Sequence, residues 1–270
     1  LRAIQFASRF GFEIEPQTMK MIQDNAERIK EIPPERILTE FDKIVKKGNP
    51  TIGAQLLNMT GLYGAILGYK PKISFVNRPF KNVKTLGEFI FLLTKGAVQN
   101  PAEFYKNNLK GDIDSYKEIK ALEMVYENGE ARNPIQARTV AHNMYVMSPK
   151  SLNSQILPNA IKNAAQELLL GKYPKTIGEL AVNGNDLMQL GLKGKEIGDA
   201  LKNMLLKIYA NKIQNSKEEL ISLIDSNNNK LNENINTWNI NDEDVGINFF
   251  VRKYDEWNNQ GNNIGYSDPS

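Results

Sequence analysis

The chain has 270 residues, with 34 Lys and Arg against 31 Asp and Glu for a formal net charge of +3, one His and no Cys. The absence of thiols excludes a disulfide framework and a thiolate metal site, and makes a reducing compartment, the cytoplasm, the expected location. No stretch approaches the roughly 20 uninterrupted apolar residues of a membrane span, and the N-terminus lacks the charged-then-apolar build of a signal peptide, so no membrane partner is expected.

The periodicity is helical from the start. Ala3, Phe6, Ala7 and Phe10 recur at helical spacing, Arg2, Gln5 and Arg9 share a neighbouring polar face, and Gly11 ends the run. This pattern predicts a helix that packs through its phenylalanines and reaches out through its polar side. Met19, Ile22, Ala26 and Ile29 predict a second helix after Pro16, and Pro34 opens a third that carries Ile37, Phe41 and Ile44 to Gly48. Residues 50 to 60 read as a short helix. Gly64, Gly68, Pro71 and Pro79 then punctuate an irregular connector, with a boundary near residue 70. Further helices are predicted at about 83 to 95, 101 to 109, 112 to 128, 134 to 146 and 151 to 170. The strongest amphipathic pattern runs through Ile197, Leu201, Met204, Leu205 and Ile208, with a shorter one around Leu220, Ile221 and Ile224. No strand alternation and no fixed-period repeat emerges, so the expected fold class is all-α, an elongated multi-helical array.

Charge is distributed unevenly. Residues 216 to 270 hold four Lys and Arg against ten Asp and Glu, which leaves residues 1 to 215 at +9. Between Lys43 and Gly87 there is no acidic residue, while Lys43, Lys46, Lys47, Lys70, Lys72, Arg78, Lys81 and Lys84 are all cationic. Folded surfaces of this length normally intersperse both signs, so the run points to a polyanion. In the C-terminal third, Gly191, Lys193, Gly194, Lys195 and Gly198 surround a turn entering a helix. Glycines let backbone N–H groups approach a phosphate, the helix start adds positive potential, and the lysines add charge.

The opening stretch LRAIQFASRFGFEIE resembles the neck of class II tRNA nucleotidyltransferases, the family of CCA-adding enzymes and related poly(A) polymerases. There an Asp-x-x-Arg element runs into an R-A-x-R-F-A helix and then G-F-x-I. ERILTEFDKI at residues 35 to 44 is similar to the second neck motif, and TGLYGAIL at 60 to 67 continues the match, with Gly68 where the family has Pro. IGELAVNGNDLMQLGLKGKEIGDAL at 177 to 201 is similar to the tail signature. The resemblance covers residues 1 to 75 and 175 to 226.

It implies neck helices at 1 to 70, a helical body at 71 to 174, a tRNA-binding tail at 175 to 228, and a polar Asn-rich extension at 229 to 270. By the same resemblance Arg2 contacts the incoming nucleotide, whose base the family reads through hydrogen bonds from planar guanidinium groups. Gln5 stands where the family has a further arginine and lacks its charge. Arg36 and Glu40 match the second neck motif and imply a brace for the first helix. Lys43, Lys46, Lys47, Lys70, Lys72, Arg78, Lys193, Gly194 and Lys195 are the implied RNA contacts.

The implied parent transfers CMP and AMP from CTP and ATP to tRNA 3′ ends, using Mg2+ in an N-terminal catalytic head. The base-reading Asp and Arg would precede Leu1, so a fragment without that head, binding neither metal nor nucleotide firmly and inactive alone, is expected. Asp112 and Asp114 share the spacing of a metal-binding pair but follow no nucleotide-binding Gly-Gly-x-x-Arg-Asp stretch, and Gly111-Asp112 reads as a helix start. Glu243 and Asp244 lack the arginine that the neck dipeptide requires, since Ile247 stands there, and His142 reads as ordinary surface. Two alternatives remain beside the CCA-adding reading: a poly(A) polymerase fragment, and a non-catalytic RNA-binding or scaffold protein. Oligomeric state is not legible.

Overall fold

The computed structural model describes residues 1–68, 79–127, 131 and 133–228. Most helices among them begin where the sequence supplies a cap or a proline, those starting at Arg2, Leu62 and Lys195 being exceptions, and the chain forms two compact units. One comprises 1–130 and 147–162, the other 131–146 and 163–270.

In the first unit, α1 (Arg2–Phe10) ends at Gly11, whose φ of 70° lets its N–H reach the Ala7 carbonyl. α2 (Pro16–Asp24) starts on Glu15, whose carboxylate accepts the N–H groups of Gln17 and Thr18 at 2.9 and 2.7 Å. The second helix expected from the sequence breaks at Asn25, and a 3-10 turn over Ala26–Glu31 carries Ala26 and Ile29 into the core. α3 (Pro34–Lys47) and α4 (Pro50–Met59) both open with proline in the first turn, where its missing N–H costs nothing. α5 (Leu62–Leu67), bounded by Gly61 and Gly68 at φ 75° and 83°, replaces the first part of the expected irregular connector. Leu62, Tyr63 and Ala65 are buried there, so burial overrides the glycine punctuation.

α6 (Leu86–Thr94) is buried from Gly87 onward, and its Phe89, Ile90, Phe91, Leu92 and Leu93 form the centre of this unit. At about 1.5–3 kcal/mol for each such side chain, this helix dominates the apolar burial. Phe41 and Phe80 meet Phe89 edge-on at 5.6 and 5.7 Å, and the Tyr63 hydroxyl donates to the Leu93 carbonyl. α7 (Pro101–Asn107) and α8 (Ile113–Glu127) pack around α6. The helix expected at 151 to 170 is two elements, a 3-10 turn over Pro149–Asn153 and α10 (Asn159–Leu169), because Pro158 cannot continue the hydrogen-bond ladder.

The second unit contains α9 (Pro134–Met147), the residues of α10 from 163 on, α11 (Gly184–Gln189), α12 (Lys195–Tyr209) and α13 (Lys217–Asn228). α11 was not legible in the sequence; Asn183 and Asp186 start it by capping each other's backbone N–H groups. Leu187, Met204, Leu205, Ile208, Tyr209 and Leu220 form the apolar core with Ala137 and Ala141. His142 is not the surface residue its sequence context suggests. Its Nδ1–H donates to the Lys175 carbonyl at 2.7 Å, its ring lies edge-on to Tyr209, and burial lowers its pKa below the ordinary 6.5.

Candidate nucleic-acid interface

α1 places the residues expected to face a nucleotide, and it does so with a different rotation from the one its sequence suggests. The buried side consists of Ile4, Gln5, Ala7 and Ser8. Gln5 is 4% exposed, so it does not share the outward polar face with Arg2 and Arg9. The Ser8 hydroxyl donates to the Gln5 carbonyl, and the Asn49 N–H donates to the Ser8 carbonyl at 2.9 Å, which ties α1 to the start of α4. Gly48 allows this approach: a side chain there would collide with the Ser8 hydroxyl. Phe6, Phe10 and Phe12 do not pack inward but are 45%, 50% and 66% exposed. Their i, i+4 spacing was the available signal, and the smaller Ile4 and Ala7 won the core side.

The neck pair Arg36 and Glu40 lies on α3 but is not joined. Arg36 is exposed, with no ion pair among the described residues, and the Glu40 Oε1 accepts Lys43 Nζ at 2.7 Å instead. The Glu40 Oε2 is buried without a hydrogen-bond partner. α3 packs against α1, and Glu40 lies on its half-buried side.

The cationic run is partly neutralised. Besides Lys43, Lys46 pairs with Asp42 at 2.9 Å, one turn earlier on α3, while Lys47 is exposed. Lys70, Lys72 and Arg78 lie outside the described residues, as do Glu243, Asp244 and the rest of 229–270. In the second unit Lys193, Gly194 and Lys195 are exposed in the turn that enters α12, where Gly191 and Gly194 take φ of 97° and 52°. A side chain on Gly191, Gly194 or Gly198 would meet open space, so the turn is accessible from outside. One backbone donor of the expected phosphate cradle is taken, since the Lys193 N–H donates to Glu196 Oε2 at 3.0 Å.

Asp112 starts α8. Its Oδ1 accepts the Ser115 N–H at 2.8 Å and its Oδ2 the Tyr105 hydroxyl at 2.7 Å. Burial raises its pKa, but these bonds outweigh that and hold it below the ordinary carboxylate value. Among the described residues no three His, Cys, Asp or Glu side chains converge as a metal site would need, and no helix is long and apolar enough to cross a membrane.

Two families match the chain in succession. The first, described as "Probable RNA and SrmB- binding site of polymerase A", covers residues 11–74, and the second, "tRNA nucleotidyltransferase domain 2 putative", covers 95–224. A CCA-adding enzyme of Limosilactobacillus fermentum is 27% identical over 234 residues, 82% of this chain and 57% of the relative. One of Bacillus licheniformis is 26% identical over 240 residues, 84% of this chain and 59% of the relative. The chain therefore spans 57 to 59% of the length of these relatives. A solved Bacillus stearothermophilus CCA-adding enzyme in complex with CTP shares the fold, with a TM-score of 0.66 and 21% identity over 86% of this chain and 62% of that one. A second solved CCA-adding enzyme, in complex with ATP, gives a TM-score of 0.53 at 20% identity over 83% of this chain and 59% of that one. Matched in order by an RNA-binding region and a tRNA nucleotidyltransferase region, and sharing its helical fold with these enzymes, the chain is similar to the class II CCA-adding enzymes.

Proposed function

We propose that this chain is the RNA-holding part of a tRNA nucleotidyltransferase that adds CMP and AMP, from CTP and ATP, to tRNA 3′ ends. The observation that carries this reading is the succession of the two family regions over 11–74 and 95–224. The CTP and ATP complexes of the solved neighbours support nucleotides as substrates. In this reading residues 1–70 are the neck and present α1, 71–174 are the body, and 175–228 hold the tRNA backbone. Arg2, exposed at the start of α1, faces the nucleotide, and its planar fork suits a base edge or a phosphate. Glu40 positions α1 from below through its buried carboxylate, and Arg36 remains free for an anionic partner. Lys47, Lys193 and Lys195 neutralise phosphates, with Lys43 and Lys46 joining when RNA displaces their same-helix acids. Gly194 leaves the backbone of the α12 turn open to a phosphate.

Nucleotide transfer in this family needs magnesium, which lowers the charge barrier between phosphate and hydroxyl. The described residues do not fit that role, since Asp112 is committed to Tyr105 and Ser115 and no other acids join it. In this reading the metal and the transfer chemistry belong to a catalytic head with which the chain acts, and the chain alone is expected to incorporate no nucleotide. A poly(A) polymerase reading is favoured by one observation, the description of the family at 11–74. The products formed when a head is supplied separate the two: a short CCA addition or a long A tract.

The test is the salt dependence of tRNA affinity, with and without Lys193→Ala/Lys195→Ala. Each phosphate contact contributes about 0.9 to the log–log slope, so the double variant is expected to flatten it by about 1 to 2. An unchanged slope would remove these lysines from the RNA contact. No measurable tRNA binding by the chain would leave the scaffold reading in its place.

A further inference from the structure

The exposed phenylalanines of α1 form a ladder. Phe6 and Phe10 stack at 6.1 Å between ring centroids with 18° between planes, and Phe10 and Phe12 at 5.4 Å with 23°. The Arg9 guanidinium lies 4.8 Å over the Phe10 ring. The aromatic pairs around Phe89 and Tyr209 are instead edge-on, at 71°, 67° and 82°. Arg2 lies one turn before Phe6 on the same side, and no acidic residue occurs between Leu1 and Phe12. A contiguous exposed apolar surface marks a binding site, and here it is flanked by Arg2 and Arg9, which are exposed and have no ion pair among the described residues. An apolar protein partner would bury both guanidinium groups without carboxylates, which is costly. An unpaired nucleic-acid strand instead brings a π-face for each ring and a phosphate for each arginine.

We propose that the outward face of α1, formed by Arg2, Phe6, Arg9, Phe10 and Phe12, is a stacking platform for unpaired RNA bases, the single-stranded 3′ end of the bound RNA. This rests on the tRNA-holding reading and adds to it a surface that lies before the RNA-binding family region, which begins at residue 11. The near-parallel rings are already stacked on one another, so bases continue the ladder at its open ends, where Arg9 holds the strand while Arg2 faces the nucleotide. Sequence tolerance follows, since every base has a π-face.

The experiment compares the affinity of the whole chain for a tRNA with its unpaired 3′ end and for the same tRNA trimmed to the acceptor stem. A 2-aminopurine at the terminal position reports stacking through quenching of its fluorescence. The chain is expected to prefer the untrimmed tRNA by about 5- to 150-fold for each stacked base. Phe6→Ala and Phe10→Ala should remove preference and quenching while leaving affinity for the trimmed tRNA intact. Phe10→Trp should keep both, and Phe10→Leu, equally apolar but without a π-face, should not. Equal binding of the two RNAs would overturn the platform while leaving the tRNA reading standing, whereas failure to bind either would overturn both. Retention of the preference by Phe10→Leu would overturn stacking as its cause. Self-association abolished by Phe10→Ala would assign the face to a second copy of the chain and overturn the proposal. The altered side chains are half exposed, so thermal melts of the variants should match the parent.

Discussion

Arg138 is 7% exposed and fully engaged. Its Nε donates to Glu167 Oε2 at 2.8 Å, an Nη donates to the Tyr209 carbonyl, and its plane lies 4.1 Å over the Tyr173 ring. The Tyr209 hydroxyl donates in turn to the Pro174 carbonyl, so one guanidinium joins α9, α10 and α12 within the second unit. Glu167 is held below the ordinary carboxylate pKa by the hydrogen bond from Arg138, which opposes the upward effect of burial and is joined by a weaker one from Lys172. Arg138→Met should destabilise this unit by about 2–4 kcal/mol, since it leaves a carbonyl and a carboxylate without their buried donor. Arg138→Lys should recover only part of that, because a single ammonium cannot serve both acceptors and stack. Urea unfolding followed by far-UV circular dichroism measures both, and a loss below about 0.5 kcal/mol for the Met variant would contradict the role. None of this was legible in the sequence, where Arg138 is one cation in a mixed helix. Its partners come from positions 29 and 71 residues away.

At the scale of the element, the proline-marked helix starts and the inner faces of α3 and α12 were legible, and the inner face of α1 was not. Pro16, Pro34, Pro50, Pro101 and Pro134 all stand in first turns, as local sterics require. The start of α6 shows how a local cap becomes a tertiary clamp. Thr85 and Glu88 form a capping box, the Thr85 hydroxyl also donates to Glu118 Oε1 on α8 at 2.7 Å, and the Ser154 hydroxyl donates to Glu88. Gly87 is required here because a methyl group would overlap the Glu118 carboxylate. Burial pushes the Glu118 pKa above its ordinary 4.5, although the Thr85 hydrogen bond and Lys150 at 3.1 Å oppose the shift. A raised carboxylate pKa means that the native state binds more protons than the unfolded chain within this window. The contribution of Glu118 to stability therefore falls as pH rises from 4.5 through its folded pKa. Glu118→Gln should flatten that segment of the pH–stability curve and cost little at neutral pH, since half-exposed Lys150 makes a pair worth under about 1 kcal/mol. A Gln variant with the parent's pH slope would show that Glu118 titrates normally.

At the scale of the molecule, charge makes a prediction that needs no contact. Residues 229–270 hold three Lys and Arg against seven Asp and Glu, so removing them raises the net charge from +3 to +7. The shortened chain should bind tRNA several-fold more tightly at low salt, and the gain should fade as the Debye length contracts to about 8 Å at physiological ionic strength. Equal affinities at low salt would show that the acidic segment does not act on the RNA. The helical fold class, the family resemblance and the cationic runs were legible in the sequence alone, because they depend on local periodicity, ordered motifs and composition. Which residues of α1 face outward, which lysines are already paired on α3, and how Arg138, His142 and Glu118 are buried were decided only by tertiary packing. Helical spacing offers Phe6 and Phe10 or Ile4 and Ala7 equally as the inner side of α1, and only the close approach of α4 at Gly48 and Ser8 selects the smaller pair.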